Sequence, residues 1–171
     1  IVLLDSDFSK MPEVVLEGRR VVNNIQTSAS LFLVKNIFSI LTTVFTLIAA
    51  NLYPLYPTQL SLLGAFTIGT PAFVLALQPN KELIRGDFLV NVILKALPAG
   101  LADFIMLAAI SIHGNILGMS NEQISTVAIV ILLFIGLAAL VRICRPFDGI
   151  RILLCLAMAA GIVICVLNFK G

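Results

Sequence analysis

The sequence has few charged residues, a single histidine, three cysteines and no tryptophan. Asp, Glu, Lys and Arg make up 12% of the 171 residues, against about 25% in a typical soluble domain. So low a charge excludes a disordered chain and an ordinary soluble enzyme. Cys144, Cys155 and Cys165 form no CxxC pair, and we interpret them as small buried apolar residues rather than a disulfide framework.

Short motifs for chemistry on a substrate are also missing. The sequence has no HExxH, no GxxxxGK[ST] and no Ser-His-Asp order. The net charge of +2, from 11 basic and 9 acidic residues, is too balanced for a nucleic-acid surface. We therefore expect no catalytic residues in this stretch and no nucleic-acid partner.

Long apolar runs dominate what remains. Apolar residues make up 60% of the chain, and the mean hydropathy is +1.09. This predicts an all-α fold, a polytopic transmembrane helix bundle of about five spans in contact with lipid. Each apolar run is long enough to cross a hydrocarbon core about 30 Å thick. The predicted spans are residues 30–50, 58–77, 88–112, 124–141 and 150–167.

The first 27 residues are more polar than the rest. Ile1–Leu4 is predicted to be a buried strand, and Ser9 can cap the helix that follows. No breaker stands between Glu13 and Ala50, so one helix of up to about 38 residues would be roughly 57 Å long. This predicts a stalk helix that rises from water into the membrane. The opening at Ile1 rather than Met indicates an excerpt of a longer protein.

Basic residues fall on one side of the predicted spans. They are Lys10, Arg19, Arg20, Lys81, Arg85, Arg142, Arg145 and Arg151, and the two loops on the other side hold none. The positive-inside rule then places the N-terminus in the cytoplasm. We expect residues 1–27 to be the end of a cytoplasmic domain with its stalk, and residues 28–171 to be the membrane domain.

The first span carries polar residues on one side. Asn36, Ser39 and Thr43 share a helix face beside Lys35. An ionisable group at the bilayer centre costs about 2.5–3.5 kcal/mol and so faces a cavity or a partner. Two interpretations stay open: the wall of an ion pathway, or polar contacts between helices with a lysine that reaches the interface.

The second span contains helix-weakening residues at Gly64, Gly69 and Pro71. Because Pro71 has no N–H, the Thr67 carbonyl loses its helical partner. A broken helix is tolerated in a membrane where it is buried or lines a cavity, and free carbonyls are ligands for hard cations such as Ca²⁺. A simple proline kink is the alternative.

The third span holds two ionisable residues, Lys95 and Asp103. Their spacing of eight residues puts them about 12 Å apart along a helix axis. That is too far for a direct ion pair, so we expect separate structural roles. His113 is expected in the loop that follows.

Seven short segments resemble P-type cation ATPases, in the right order over residues 1–90. They are IVLL at 1–4, DSDF at 5–8, EGRR at 17–20, NNI at 23–25, PTQL at 57–60, GTPA at 69–72 and LQPN at 77–80. The first two resemble the last strand region of the phosphorylation domain, and the others resemble the fifth and sixth membrane helices and the loop after them. The later spans match the seventh to ninth helices in hydropathy alone.

The resemblance is nearest to bacterial pumps related to the calcium-type branch, and it implies a site. Asn36 and Thr67 keep ligand types of that branch. Ser39, Gly64 and Ile68 stand where it has a carboxylate, an asparagine and an aspartate, so two acidic ligands are missing and a full two-site calcium pump is not implied.

At the position of Lys35 this chain resembles gastric-type proton pumps, which also have a lysine there. The resemblance implies that its ammonium repels a second cation or acts as an internal counter-ion. The expected ion pathway is therefore Lys35, Asn36, Ser39, Thr43, Gly64, Thr67 and Pro71. Ca²⁺ is a candidate for the transported cation.

The resemblance further implies a parent protein that is an ATP-driven translocase of the bacterial plasma membrane. Its aspartate in a DKTGT motif would accept a phosphoryl group with Mg²⁺, but that motif is absent from this sequence. The expected role of this stretch is to form part of the ion pathway and to couple it to upstream pump domains. Two alternatives remain: a stand-alone membrane scaffold or regulator, and a secondary transporter with Lys35 and Asp103 as a proton relay.

Overall fold

A computed structural model describes residues 8–49, 53–78, 80, 83–84, 86–145 and 147–168. Within these ranges the secondary structure is helical and contains no β-strand. The strand predicted at Ile1–Leu4 lies outside the described residues, as do Ala50, Pro79, Lys81 and Arg85. The prediction of an all-α bundle is confirmed.

Helix α1 is the long helix expected from the lack of breakers. It runs over Met11–Ala49 after a 3-10 turn at Phe8–Lys10, and its 39 residues give a length of about 58 Å. Its buried residues follow one face: Asn24, Gln26, Ser30, Leu31, Val34, Phe38 and Thr42. The amides among them are already buried, so the interior of the bundle begins before residue 28.

The second span is one continuous helix whose hydrogen bonding becomes irregular in the middle, where its glycines and proline lie. It consists of α2 (Pro57–Gly64), a π-helical turn (Ala65–Gly69) and α3 (Thr70–Ala76). The Thr70 N–H donates to the carbonyl of Ala65, five residues back. Because Pro71 has no N–H to donate, an α-helical ladder cannot pass this point unbroken, and a π turn takes up the extra residue.

Three regular helices complete the fold. They are α4 (Phe88–Ile116), α5 (Asn121–Ile143) and α6 (Gly149–Asn168). With α1 and the second span they make five helices, among the described residues, long and apolar enough to cross a membrane. Helix α4 is longer than predicted, so the placement of His113 in a loop is wrong: it lies in the last turn of the helix.

Helix α4 packs most extensively on α1. Gly100 allows this, because a Cβ on Gly100 would lie 2.9 Å from the side chain of Ile37 on α1. Farther along, the rings of Phe45 and Phe104 meet edge to face with centroids 6.1 Å apart. Helix α5 packs against the π turn at Gly136, where an added Cβ would overlap the side chain of Thr67. These contacts enclose the middle of the bundle.

Candidate functional site

A cavity of about 70 Å³ lies between α1, the second span, α4 and α5. Since a water molecule needs roughly 10–15 Å³ of such volume, it has room for a cation with several water molecules. Its polar lining is Lys35, Ser39, Thr67 and Asp103, beside Gly64 and Gly136. The remaining lining is apolar: Leu31, Val34, Phe38, Leu60, Leu63, Ile68 and Ala139.

The π turn supplies one wall of this cavity. Thr67 is buried within it, and its hydroxyl donates to the carbonyl of Leu63 at 2.7 Å. That bond uses the hydroxyl proton and leaves oxygen lone pairs that can accept or ligate. π turns within α-helices are frequently found at functional sites.

Lys35 directs its charge toward the same wall. Its ammonium nitrogen lies 3.9 Å from where a Cβ on Gly64 would be, near the middle of the second span Pro57–Ala76. The Lys35 side chain is exposed, yet it lines the cavity and its ammonium lies at the π turn. Both interpretations of Lys35, a place in an ion pathway and a lysine that reaches the interface, stay predictions.

Asp103 lies near the middle of α4 and lines the same cavity. Its side chain is 5% exposed, and its Oδ1 has no hydrogen-bond partner in the part of the chain that the structure describes. Within the described ranges, the one ion pair closer than 4.0 Å is Arg20–Glu17. Lys35 and Asp103 therefore line the same cavity without forming an ion pair. Sequence reasoning had given Asp103 a separate structural role.

Other predicted residues lie elsewhere. Asn36 and Thr43 are exposed on α1, and the Thr43 hydroxyl donates to the Ser39 carbonyl at 2.8 Å. Pro71 is buried in α3 but does not line the cavity. Lys95 is exposed at the basic end of the bundle, where a polar cavity of about 200 Å³ also contacts Arg145 and Arg151.

A second set of buried polar groups lies at the basic end, and we call it the junction network. It joins the side chains of Asn24, Gln78 and Arg151 to the backbone. The Asn24 amide donates to the carbonyls of Ala76 at 2.8 Å and Gln78 at 2.9 Å. Arg151 donates from Nε to Gln78 Oε1 at 2.8 Å and from a terminal nitrogen to the Cys144 carbonyl at 3.3 Å.

Sequence reasoning missed the junction network. Sequence reasoning counted Arg151 only among the basic residues on one side of the spans, although it lies at the start of the fifth predicted span, and the residue is 7% exposed. A charged residue inside the first turn of an apolar span was the available signal, because such a position demands a partner. The amides Asn24 and Gln26 in an otherwise amphipathic stalk were a second signal.

Cysteine and histidine chemistry plays no part in the cavity. Burial, and to a lesser extent the neighbouring Cys155, raise the pKa of the Cys144 thiol to about 12, although Arg151 opposes the rise. At neutral pH this thiol is therefore protonated and is no metal ligand. Among the described residues, no group of three or more His, Cys, Asp or Glu is placed to hold a metal ion.

The fold and the cavity define the class: a polytopic membrane helix bundle with a mostly apolar cavity that holds a few polar side chains at the π turn of one span. The chain is 36% identical to the probable cation-transporting ATPase exp7 of Streptococcus pneumoniae, over 94% of its length. It is 36% and 37% identical to the calcium-transporting ATPase CtpE of Mycolicibacterium smegmatis and of Mycobacterium bovis, over 90% and 96%. Over nearly its whole length the chain is thus similar to a part of bacterial cation-transporting ATPases, which agrees with the resemblance carried by the sequence segments.

The chain spans about a fifth of the length of these relatives, 22%, 21% and 22% respectively. That extent fits a C-terminal membrane fragment of a longer pump. No family model matches the chain. No solved structure matches it either.

Proposed function

We propose that this chain is part of the membrane domain of an ATP-driven cation pump and forms part of its ion pathway. The observation that carries the proposal is the cavity, which brings Lys35 and Ser39 of α1 against Gly64 and Thr67 of the π turn. Hydroxyl and carbonyl oxygens are the ligands that hard cations prefer. The names of three relatives supply Ca²⁺ as the candidate ion.

Coupling to a phosphorylation domain would run through α1. One uninterrupted helix of 39 residues joins the polar stalk to the cavity. The Asn24 amide ties the stalk to the end of α3, so a displacement of the stalk would be felt at both helices that form the cavity. In this proposal residues 1–27 are cytoplasmic and residues 28–171 form the membrane domain.

The proposed parent would sit in a bacterial plasma membrane, with the N-terminus of this chain in the cytoplasm and its other domains as partners. The positive-inside rule supports that orientation, and the relatives are bacterial. ATP and Mg²⁺ would act on domains outside this chain, because the sequence holds no phosphate-binding motif. The residues described here would bind the cation, which is the substrate of transport.

The experiment that tests the proposal uses membranes that express the complete parent protein. They are incubated with labelled ATP, with and without Ca²⁺, and probed for an acid-stable, hydroxylamine-sensitive phosphoprotein. We expect a band that Ca²⁺ stimulates. A band that responds to another cation keeps the pump and changes the ion, whereas no band with any cation would favour a scaffold or a secondary transporter.

Lys35 provides a sharper prediction within this proposal. Replacement Lys35→Ala removes the positive charge from the cavity, so the cation concentration for half-maximal phosphoprotein should fall or the number of cations moved per ATP should change. The exposed Lys10→Ala, on the 3-10 turn before α1, is the control. Unchanged cation dependence and unchanged stoichiometry in Lys35→Ala would contradict the role of the ammonium.

A further inference from the structure

Asp103 is a buried carboxylate in mid-helix that the proposed pathway has not yet used. Its side chain is 5% exposed, and one of its oxygens has no partner in the described part of the chain. A buried carboxylate oxygen without a partner is costly, and an ionisable residue inside a membrane marks an ion or proton path by default. A function proposed for Asp103 therefore has to explain why a carboxylate is buried at this position.

The helix contact beside Asp103 fixes the direction of its side chain. Gly100, three residues earlier and on the same face of α4, lies against α1 so closely that a Cβ would be 3.1 Å from the Val34 carbonyl oxygen. Asp103 is consequently turned toward α1 and lines the cavity. Thr42 on α1 is fully buried too, and its hydroxyl oxygen has no hydrogen-bond partner among the described residues.

The charges in the cavity are few and opposite. Asp103 is the one acidic residue among the described lining residues, and Lys35 is the one basic residue. The two are not within ion-pair distance, so the carboxylate can take a cation without first breaking a contact pair. Ser39, which is exposed on α1, and the buried Thr67 line the same cavity. Their hydroxyl oxygens and the carboxylate are ligands of the type that a hard cation prefers.

We propose that Asp103 supplies the carboxylate of the ion site and that one hard metal cation binds between it, Ser39 and Thr67. This inference rests on the proposed function, and adds to it the third predicted span as a source of a ligand. The Lys35 ammonium balances the carboxylate when the cation is absent. With one carboxylate and one ammonium among the described lining residues, the cavity is expected to hold one cation and not two.

The test measures equilibrium binding of radiolabelled Ca²⁺ to the complete parent protein in nanodiscs, without ATP. The variant Asp103→Asn keeps the size of the side chain and removes its charge. We expect the dissociation constant to rise at least about tenfold, since even the loss of an outer-shell partner costs a metal site that much. Asp103→Glu keeps the charge and should retain part of the affinity.

Asp87→Asn is the matched control. It changes the other aspartate of α4, at the exposed N-cap, where the side chain makes no capping hydrogen bond. Its dissociation constant should stay within about twofold of the wild type, because a distant exposed charge is screened by solvent. The melting temperature of Asp103→Asn should equal or exceed that of the wild type, since the change removes an unpaired buried charge.

The outcomes separate this inference from the function on which it rests. Wild-type-like Ca²⁺ binding by Asp103→Asn would overturn the inference while a phosphoprotein in the wild type keeps the pump. If Asp103→Asn binds Ca²⁺ like the wild type but its phosphoprotein level no longer varies with pH as that of the wild type does, the carboxylate carries a proton and the inference is also overturned. If the wild type responds to Mn²⁺, Na⁺ or K⁺ instead, the same comparison is made with that ion. No phosphoprotein with any of these cations defeats the proposed function and, with it, this inference.

Discussion

The cavity and the junction network both bury polar side chains in an apolar bundle, but they treat those groups differently. In the junction network, Asn24, Gln78 and Arg151 are joined by hydrogen bonds of 2.8–2.9 Å. In the cavity, Asp103 keeps a buried oxygen without a partner in the described chain, and so does Thr42 on α1, which does not line the cavity. Buried polar groups that have hydrogen-bond partners hold the helices in one arrangement. Buried polar groups without partners are candidates to bind a ligand or a proton.

One amide departs from this division. The Nε2 of Gln78 is buried and has no partner among the described residues, although Gln78 accepts hydrogen bonds at both its side-chain and its backbone oxygen. The junction network is therefore satisfied in its acceptors and charge, and unsatisfied in one neutral donor. An unpaired neutral donor costs less than an unpaired carboxylate, so the contrast between the two regions stands.

The largest stability loss should come from breaking the junction network at its charged member. Replacement Arg151→Met removes charge-assisted bonds to Gln78 and to the Cys144 carbonyl, and we expect a cost of about 2–3 kcal/mol. A lower melting temperature of the parent protein in detergent would show it. Arg145 lies near Arg151 in the chain but is exposed, so Arg145→Met should change stability by less than about 0.5 kcal/mol. Equal losses in the two variants would contradict a structural joint.

A smaller effect is expected where α5 meets the π turn. A Cβ in Gly136→Ala would overlap the Thr67 side chain, and overpacking of this kind costs about 1–3 kcal/mol. It should also displace Thr67 and weaken cation binding. In Gly18→Ala the new Cβ has no atom within 4 Å, so this variant should stabilise α1 by about 0.5–1 kcal/mol. If Gly136→Ala leaves cation binding unchanged, the π turn is not part of the ion site.

The smallest effect concerns the thiol beside the junction network. Because burial raises the pKa of Cys144 to about 12, its thiolate fraction is low at neutral pH and should rise about tenfold per pH unit until that pKa is reached. Labelling by iodoacetamide at pH 8, followed by mass spectrometry, should be slow in the folded parent and fast after denaturation. Fast labelling of the folded protein would show that the junction opens.

Much of the fold follows from local sequence. Apolar runs of sufficient length predict the five spans, and the absence of breakers predicts α1. Pro71 with its neighbouring glycines predicts an irregular turn in the second span, and the structure has a π turn there. Helix α4 extends past the predicted end, to Ile116, and the chain turns with a positive φ at Gly118, just beyond the helix. A polar composition around His113 was not sufficient to end the helix.

The assignment of Asp103 and Arg151 did not follow from the sequence, for a physical reason. In a membrane helix the lipid-facing and core-facing sides are both apolar, so the hydrophobic period does not show which face is buried. The direction of Asp103 depends on the close approach of α4 to α1 at Gly100. The burial of Arg151 depends on acceptors from Gln78 and Cys144, which are 73 and 7 residues away in the chain.

The central claim is that the cavity at the π turn binds the transported cation. The most direct measurement is the Ca²⁺ dependence of phosphoprotein formation by the parent protein in Thr67→Val, which removes one hydroxyl without changing size. Thr126→Val is its control, because the exposed Thr126 hydroxyl also donates to a helix carbonyl, that of Glu122. We predict that the half-saturating Ca²⁺ concentration is at least about threefold higher in Thr67→Val than in the wild type, in line with about 1 kcal/mol for one ligand. In Thr126→Val it should be unchanged. Equal Ca²⁺ dependence in both variants and in the wild type would contradict the account.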